Sequence, residues 1–176
     1  MNILLIILTV IVSLILLFLL IAVYTSKDYA IVRTIRINAP KQKVFDYIKM
    51  LKNQDYYSKW VMTDPAMKKE FTGTDGTVGF IYGWSGNKKA GEGEQEIKTI
   101  TEGSSMVSEV RFVRPFAGLS NLELTATSVG DNETEVSWSV RSIMKFPMNG
   151  MIPFIKNMLA KDMDTSLVTL KSILEK

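Results

Sequence analysis

The chain has 176 residues, 47% of them hydrophobic and 22% charged, with 21 Lys and Arg against 18 Asp and Glu. It contains no His and no Cys, which excludes Ser-His-Asp triads, Cys nucleophiles, imidazole acid–base catalysis, thiolate metal sites and disulfides. A net charge of +3 implies no nucleic-acid partner, because that would require a clustered basic face.

Residues Ile3 to Val23 hold two polar side chains, Thr9 and Ser13, and no charge. As a helix this run is about 31 Å long, the thickness of a bilayer's hydrocarbon core. A cleaved signal peptide is the competing reading. Such a peptide has a positive n-region, a shorter apolar stretch and a small-x-small cleavage site. Here the start is Met1-Asn2 and the exit reads Ala22-Val23-Tyr24, so a membrane anchor over residues 1–26 is favoured. Tyr24 and Tyr29 flank Lys27 at the exit, as in an interfacial belt. Lys27, Arg33, Arg36, Lys41 and Lys43 follow the helix closely, so the positive-inside rule places the remainder in the cytoplasm.

Residues 27–176 read as one domain, tethered through Tyr24–Tyr29. Ala30–Asn38 is a strand, with Ile31, Arg33, Ile35 and Ile37 on one parity. Pro40 opens a helix on which Val44, Tyr47, Ile48 and Leu51 recur at helical spacing, and a short helical turn follows near Asn53–Trp60. Strands are then predicted at Met67–Thr72, Val78–Trp84, Gly91–Thr101, Ser105–Arg114, Leu119–Val129 and Thr134–Met144. The breaks between them carry Gly, Asn and Asp, as in Gly130-Asp131-Asn132. Leu122, Leu124 and Ala126 share one face of their strand, as do Val136, Trp138 and Val140 of theirs. A helix from about Gly150 to Glu175 closes the chain. Its apolar stripe is Ile152, Ile155, Leu159, Met163, Leu167, Leu170 and Leu174. One long amphipathic helix after a meander of six or seven strands implies an α+β domain whose curved sheet grips the helix.

Particular stretches resemble a known family. Ile35-Arg36-Ile37-Asn38-Ala39-Pro40, continuing to Val44-Phe45, is similar to the opening of bacterial polyketide-cyclase/dehydrase-like members of the START (SRPBCC) superfamily. Tyr82-Gly83-Trp84-Ser85-Gly86-Asn87 with Gly91-Glu92-Gly93 resembles a hairpin of the same proteins, and Thr134-Glu135-Val136-Ser137-Trp138 resembles one of their strands. The resemblance implies the helix-grip fold. It also implies a cavity between the sheet and the C-terminal helix that holds a hydrophobic or amphipathic small molecule. Cyclase activity does not follow, since function belongs to the site and not to the fold.

The candidates for lining such a cavity are Trp60, Tyr82, Trp84, Gln95, Phe112, Arg114, Trp138 and Met158. The aromatics sit at inner-face parity, where plain core packing is the competing role. Gln95 shares the parity of Gly93 and Ile97 and needs hydrogen-bond partners if it faces inward. Arg114 follows the parity of Val110 and Phe112 and precedes Pro115, which places it at a strand end; a surface or ion-paired Arg is the competing role. Arg33 is in the same position. Met158 supplies an adaptable wall. Glu92, Glu94 and Glu96 alternate with Lys98 on the opposite parity, which fits a solvated outer face better than a catalytic or metal site. No catalytic residue, metal ligand or cofactor is assigned. The expectation is a membrane-anchored binder of a hydrophobic, lipid-like molecule. A polyketide-cyclase-like enzyme and a non-catalytic interaction module remain open alternatives.

Overall fold

The computed structural model describes residues 2–176. A single helix, α1 (Ile3–Tyr24), leads into strand β1 (Asp28–Ile37). Helix α2 (Lys41–Ile48) starts just after Pro40, and a short 3-10 turn joins it to α3 (Gln54–Tyr57). Strands β2 (Lys68–Thr72), β3 (Ile81–Ser85), β4 (Glu92–Thr101), β5 (Ser105–Arg114), β6 (Gly118–Gly130) and β7 (Glu133–Ile143) follow. A 3-10 turn at Met148–Met151 then feeds α4 (Ile152–Leu174). Among the described residues the seven strands form one antiparallel sheet in the order β1-β7-β6-β5-β4-β3-β2.

The α+β architecture and the C-terminal helix agree with the sequence expectation, and three details differ. The expected strand Val78–Trp84 begins at Ile81 because Gly79, at a φ of +87°, ends the preceding turn. The expected six-residue tether shrinks to Thr25, Ser26 and Lys27, since α1 runs on through Tyr24 and β1 already begins at Asp28. The first turn of the expected C-terminal helix is a 3-10 turn.

Alternation decides which side chains meet α4. On β1 the residues Ile31, Arg33, Ile35 and Ile37 point inward, and on β7 so do Thr134, Val136, Trp138 and Val140. The antiparallel register aligns Arg33 with Trp138, Trp138 with Leu124, and Leu124 with Met106. The stripe of α4 covers this concave face, with Met163, Leu167, Leu170 and Leu174 all buried. The helix is pinned at its C-terminal end. Glu175 accepts the Asn38 N–H at 2.6 Å, and Lys43 donates to the Leu174 carbonyl at 2.7 Å.

The register also defines two ends of the domain. Asp28, Ile143, Gly118, Arg114, Glu92, Ser85 and Lys68 all lie at the end where α1 arrives. The far end holds α2 and the hairpin between β6 and β7. There Val44, Phe45, Ile48, Leu51, Phe80 and Val136 have no exposed surface, which makes that half of the interior a filled core.

Candidate ligand site

The inner face changes character toward α1. Across β6, β5, β4 and β3 the inward positions become Ser120, Ser108, Gln95 and Tyr82, all buried. Gln95 donates through Nε2 to Ser108 Oγ at 2.8 Å, which satisfies part of the amide inside the protein. Around these polar groups stand Leu122, Val140, Phe112, Trp84, Trp60 and Leu159, each only half-buried. Trp84 and Trp60 both meet Phe112 edge-on, at 5.9 and 6.3 Å between ring centres. The Trp84 indole donates to the Ala90 carbonyl at 3.2 Å. Its ring lies over Gly93, where an added Cβ would come within 2.8 Å of the ring and 2.5 Å of the Arg111 carbonyl. Glycine is therefore required for that wall to close.

Hydrogen-bond donors without acceptors mark the same region. Among the described residues Gln54 Nε2, Tyr57 Oη, Trp60 Nε1 and Trp138 Nε1 are buried and have no partner. Buried donors are normally satisfied, and leaving one unpaired costs about 1–3 kcal/mol. Three of the four come from a single segment, Gln54 to Trp60. It is held to α4 by Ser166, whose hydroxyl accepts the Lys59 N–H at 2.8 Å. The fourth, Trp138, meets the Tyr57 ring edge-on at 6.3 Å. Burial pushes the Tyr57 hydroxyl far above its ordinary pKa. For Tyr82, burial and then the hydrogen bond to Asp55, 2.6 Å away, push the same way. Both phenols therefore stay protonated and act as donors, not as nucleophiles or bases.

The remaining sequence candidates separate into inward and outward groups. Trp60, Trp84 and Phe112 are brought together toward the α1 end, and Gln95 is buried on the inner face. Tyr82 and Trp138 are buried at mid-sheet, in the same packed cluster as Phe45 and Phe80. Arg114 joins neither group: a bulge in the β4–β5 ladder pairs it with Glu92. It is exposed at the rim, and its Nε donates to Glu92 Oε2 at 2.6 Å. An extra residue in one strand reverses the facing of every position beyond it, which parity counting cannot anticipate. Met158 is also displaced from its expected role, since it is 43% exposed on the outer side of α4. Arg33 does face α4, where its Nε is 3.1 Å from Asp164 Oδ1. On the outer face Arg111 gathers Glu94 at 2.7 Å, Glu96 at 2.8 Å and Glu109, while Lys98 pairs with Glu96 at 2.9 Å. Those carboxylates form a surface ion-pair network.

Gln54 and Tyr57 were not among the residues that the sequence singled out. The signal was present as the three-residue spacing of Gln54, Tyr57 and Trp60, which puts side chains on one face of a helical segment. Two surface hollows also occur: about 160 Å³ beside Leu5, Ile6, Thr9 and Val10, and about 130 Å³ beside Val107, Asn121, Leu122, Glu123, Ser139 and Arg141. Neither lies between the sheet and α4.

No family model and no curated protein matches the sequence. Solved structures do match. Norcoclaurine synthase from Thalictrum flavum, in complex with dopamine and hydroxybenzaldehyde, superposes with a TM-score of 0.63 at 15% identity. That match covers 89% of this chain and 91% of the other. The chain has the helix-grip fold. The di-domain ARO/CYC protein BexL from the BE-7585A biosynthetic pathway gives 0.63 at 13% identity, covering 89% of this chain and 53% of that one. Protein CV1439 from Chromobacterium violaceum gives 0.59 at 13%, covering 84% and 98%. In all three the shared feature is a curved sheet gripping a long helix, the architecture that places the four unpaired donors inside this domain.

Proposed function

We propose that this helix-grip domain, residues 27–176, binds an amphipathic, lipid-like small molecule and is held at a membrane by residues 1–26. The observation that carries the reading is the set of unpaired donors at Gln54, Tyr57, Trp60 and Trp138, surrounded by half-buried apolar walls. Four donors without acceptors favour a ligand whose polar end offers oxygen acceptors, such as a carboxylate, carbonyl or ether. The walls favour an apolar remainder. The names of the solved neighbours, a synthase seen with two aromatic ligands and an aromatase/cyclase, are consistent in kind.

The anchor reading has its own support. Helix α1 has a mean hydropathy of 3.5, and apart from Ala22 none of its residues is buried. Its last turn is also part of the domain's hydrogen bonding. Asn149, only 1% exposed, donates through Nδ2 to the carbonyls of Ala22 at 2.6 Å and Thr25 at 2.7 Å. Cleavage near Tyr24 would strand that amide, which argues against a removable signal peptide. Lys27, Arg33, Arg36, Lys41 and Lys43, which follow α1 within about 20 residues, favour a cytoplasmic domain. Protease added to intact cells should then leave the domain uncut, and external digestion would reverse the orientation.

The binding test uses a fluorescent fatty-acid analogue with the full chain in detergent. Saturable binding that quenches tryptophan emission is expected. Val140→Phe, which enlarges a half-buried wall residue, should abolish it while circular dichroism is unchanged. Absence of saturable binding in the parent protein would defeat the carrier reading.

A further inference from the structure

Helix α1 does not hang from the domain on a loose tether. The Asn149 side chain bonds two carbonyls of its C-terminal turn, and the Met144 N–H donates to the Lys27 carbonyl at 2.8 Å. Gly150 lies so close that a Cβ there would sit 3.0 Å from the Phe18 ring and 3.2 Å from Ala22 Cβ. The helix is thus clasped to the 148–151 turn, at the same end as the half-buried rings of Trp84 and Phe112.

That end is also the apolar one. Phe116 in the β5–β6 loop is 70% exposed, Phe154 in the first turn of α4 is 67%, and Phe146 in the β7–α4 connection is 50%. Met151, Val113 and Ile143 are exposed beside them. Three exposed aromatics on two connections and the start of α4 are unusual on a water-facing surface. Toward the far end the exposed apolar residues are separated: Val78 in the β2–β3 loop, Val129 near the end of β6, and Phe71 of β2, whose ring stacks on Phe80.

The connecting loops at the α1 end are basic, whereas the far end, where the α2 region adds Lys41, Lys43 and Lys49, is of mixed charge. The connections at the α1 end (25–27, 64–67, 86–91, 115–117 and 144–147) carry Lys27, Lys88, Lys89 and Lys145. Their one acid, Asp64, already accepts the Asn87 N–H at 2.7 Å. The far-end connections (38–40, 73–80, 102–104 and 131–132) carry Asp75, Glu102 and Asp131 and no lysine. Lys49 of the α2 region pairs with Glu102 there at 3.3 Å.

We propose that the α1 end of the domain is a lipid-docking face. Phe116, Phe146 and Phe154 enter the interfacial layer, and Lys88, Lys89 and Lys145 meet anionic headgroups. This rests on the reading of α1 as a membrane helix. Apolar side chains dip below the headgroups while lysines stay with the phosphates, as in interfacial proteins. The continuity with α1 and the sign of the charge both point to a bilayer and not to a second protein. A ligand that parts the half-buried side chains at this end would then pass between bilayer and interior without crossing water.

Because the chain has no Cys, one engineered Cys carries an environment-sensitive fluorophore at a single known place. The full-length protein is placed in nanodiscs of phosphatidylcholine and phosphatidylglycerol whose acyl chains bear a nitroxide quencher. Labels on Phe116→Cys and Phe154→Cys should be quenched, and a label on Val129→Cys at the far end should not. A label on Val12→Cys within α1 reports the anchor separately. In discs without anionic lipid, quenching at 116 and 154 should fall several-fold while that at 12 is unchanged. If 12 is quenched but 116 and 154 behave like 129, docking is overturned and the anchor stands. If 12 is also unquenched, both readings fall. Equal quenching in the two lipid mixtures overturns the headgroup contact. Labels at 116 and 154 that are shielded yet insensitive to the lipid quencher mean that a protein covers the face, and that also overturns docking.

Discussion

The two ends of the interior are built from the same sheet and the same helix, yet they are packed to different purposes. At the far end Phe45, Ile48, Leu51, Phe80, Leu167 and Leu170 are fully enclosed and wholly apolar. At the α1 end, Ser108, Ser120 and Gln95 take inward positions, and the aromatics around them remain half-buried. Burying polar atoms without partners is a cost that a purely structural core avoids. The contrast indicates that the tightest packing lies in one half of the domain, and the proposed site lies in the other.

The sharpest way to break this comparison is to truncate one ring at each end. Phe45→Ala should cost about 3–5 kcal/mol, the usual loss for a fully buried Phe. Phe112→Ala, which removes a half-exposed ring, should cost well below that range. Urea unfolding of the two variants measures the difference; equal losses would mean that the α1 end is ordinary core.

A smaller effect tests the unpaired donors. Tyr57→Phe deletes a buried hydroxyl that has no partner. The ligand-free protein should be unchanged or stabilised by up to about 1 kcal/mol, because the desolvation penalty of about 1–3 kcal/mol for an unpaired group is removed. Affinity for the fatty-acid analogue should fall in the same variant. A clear loss of stability in thermal unfolding would show that the hydroxyl is bonded within the protein.

The smallest effect belongs to the outer face and is read through pH. Hydrogen bonds from Lys98 and then Arg111 hold the Glu96 carboxyl below its ordinary value of 4.5. A carboxyl depressed on folding contributes stability above the unfolded value, and loses it as pH falls through the lower folded value. Glu96→Gln should therefore melt slightly below the parent at neutral pH, and the gap should close on acidification. Since exposed pairs are worth about 0–1 kcal/mol, the shift should be small and should shrink further in salt. A gap that widens toward low pH would contradict the assignment.

Local periodicity carried most of the fold. Alternation in β1, β6 and β7 identified the inward residues, including Trp138, and the three-and-four spacing of Ile152 to Leu174 identified the gripped face of α4. The apolar run from Ile3 to Val23 likewise announced α1. These features depend on residues a few positions apart, so they are written in the chain itself. What lay beyond the sequence depends on register and on distant parts of the chain. The bulge that turns Arg114 toward Glu92 belongs to two strands at once. The lysines beside α1 are a second case: Arg36, Lys41 and Lys43 follow the helix in sequence, but β1 carries them about 30 Å away at its usual rise per residue. Lys88, Lys89 and Lys145, far along the chain, take their place because every second turn of an antiparallel sheet returns to the same end. Asn149 reaches back 127 positions to Ala22. No pattern around either residue foretells that bond, because only the folded sheet brings the end of β7 to the end of α1.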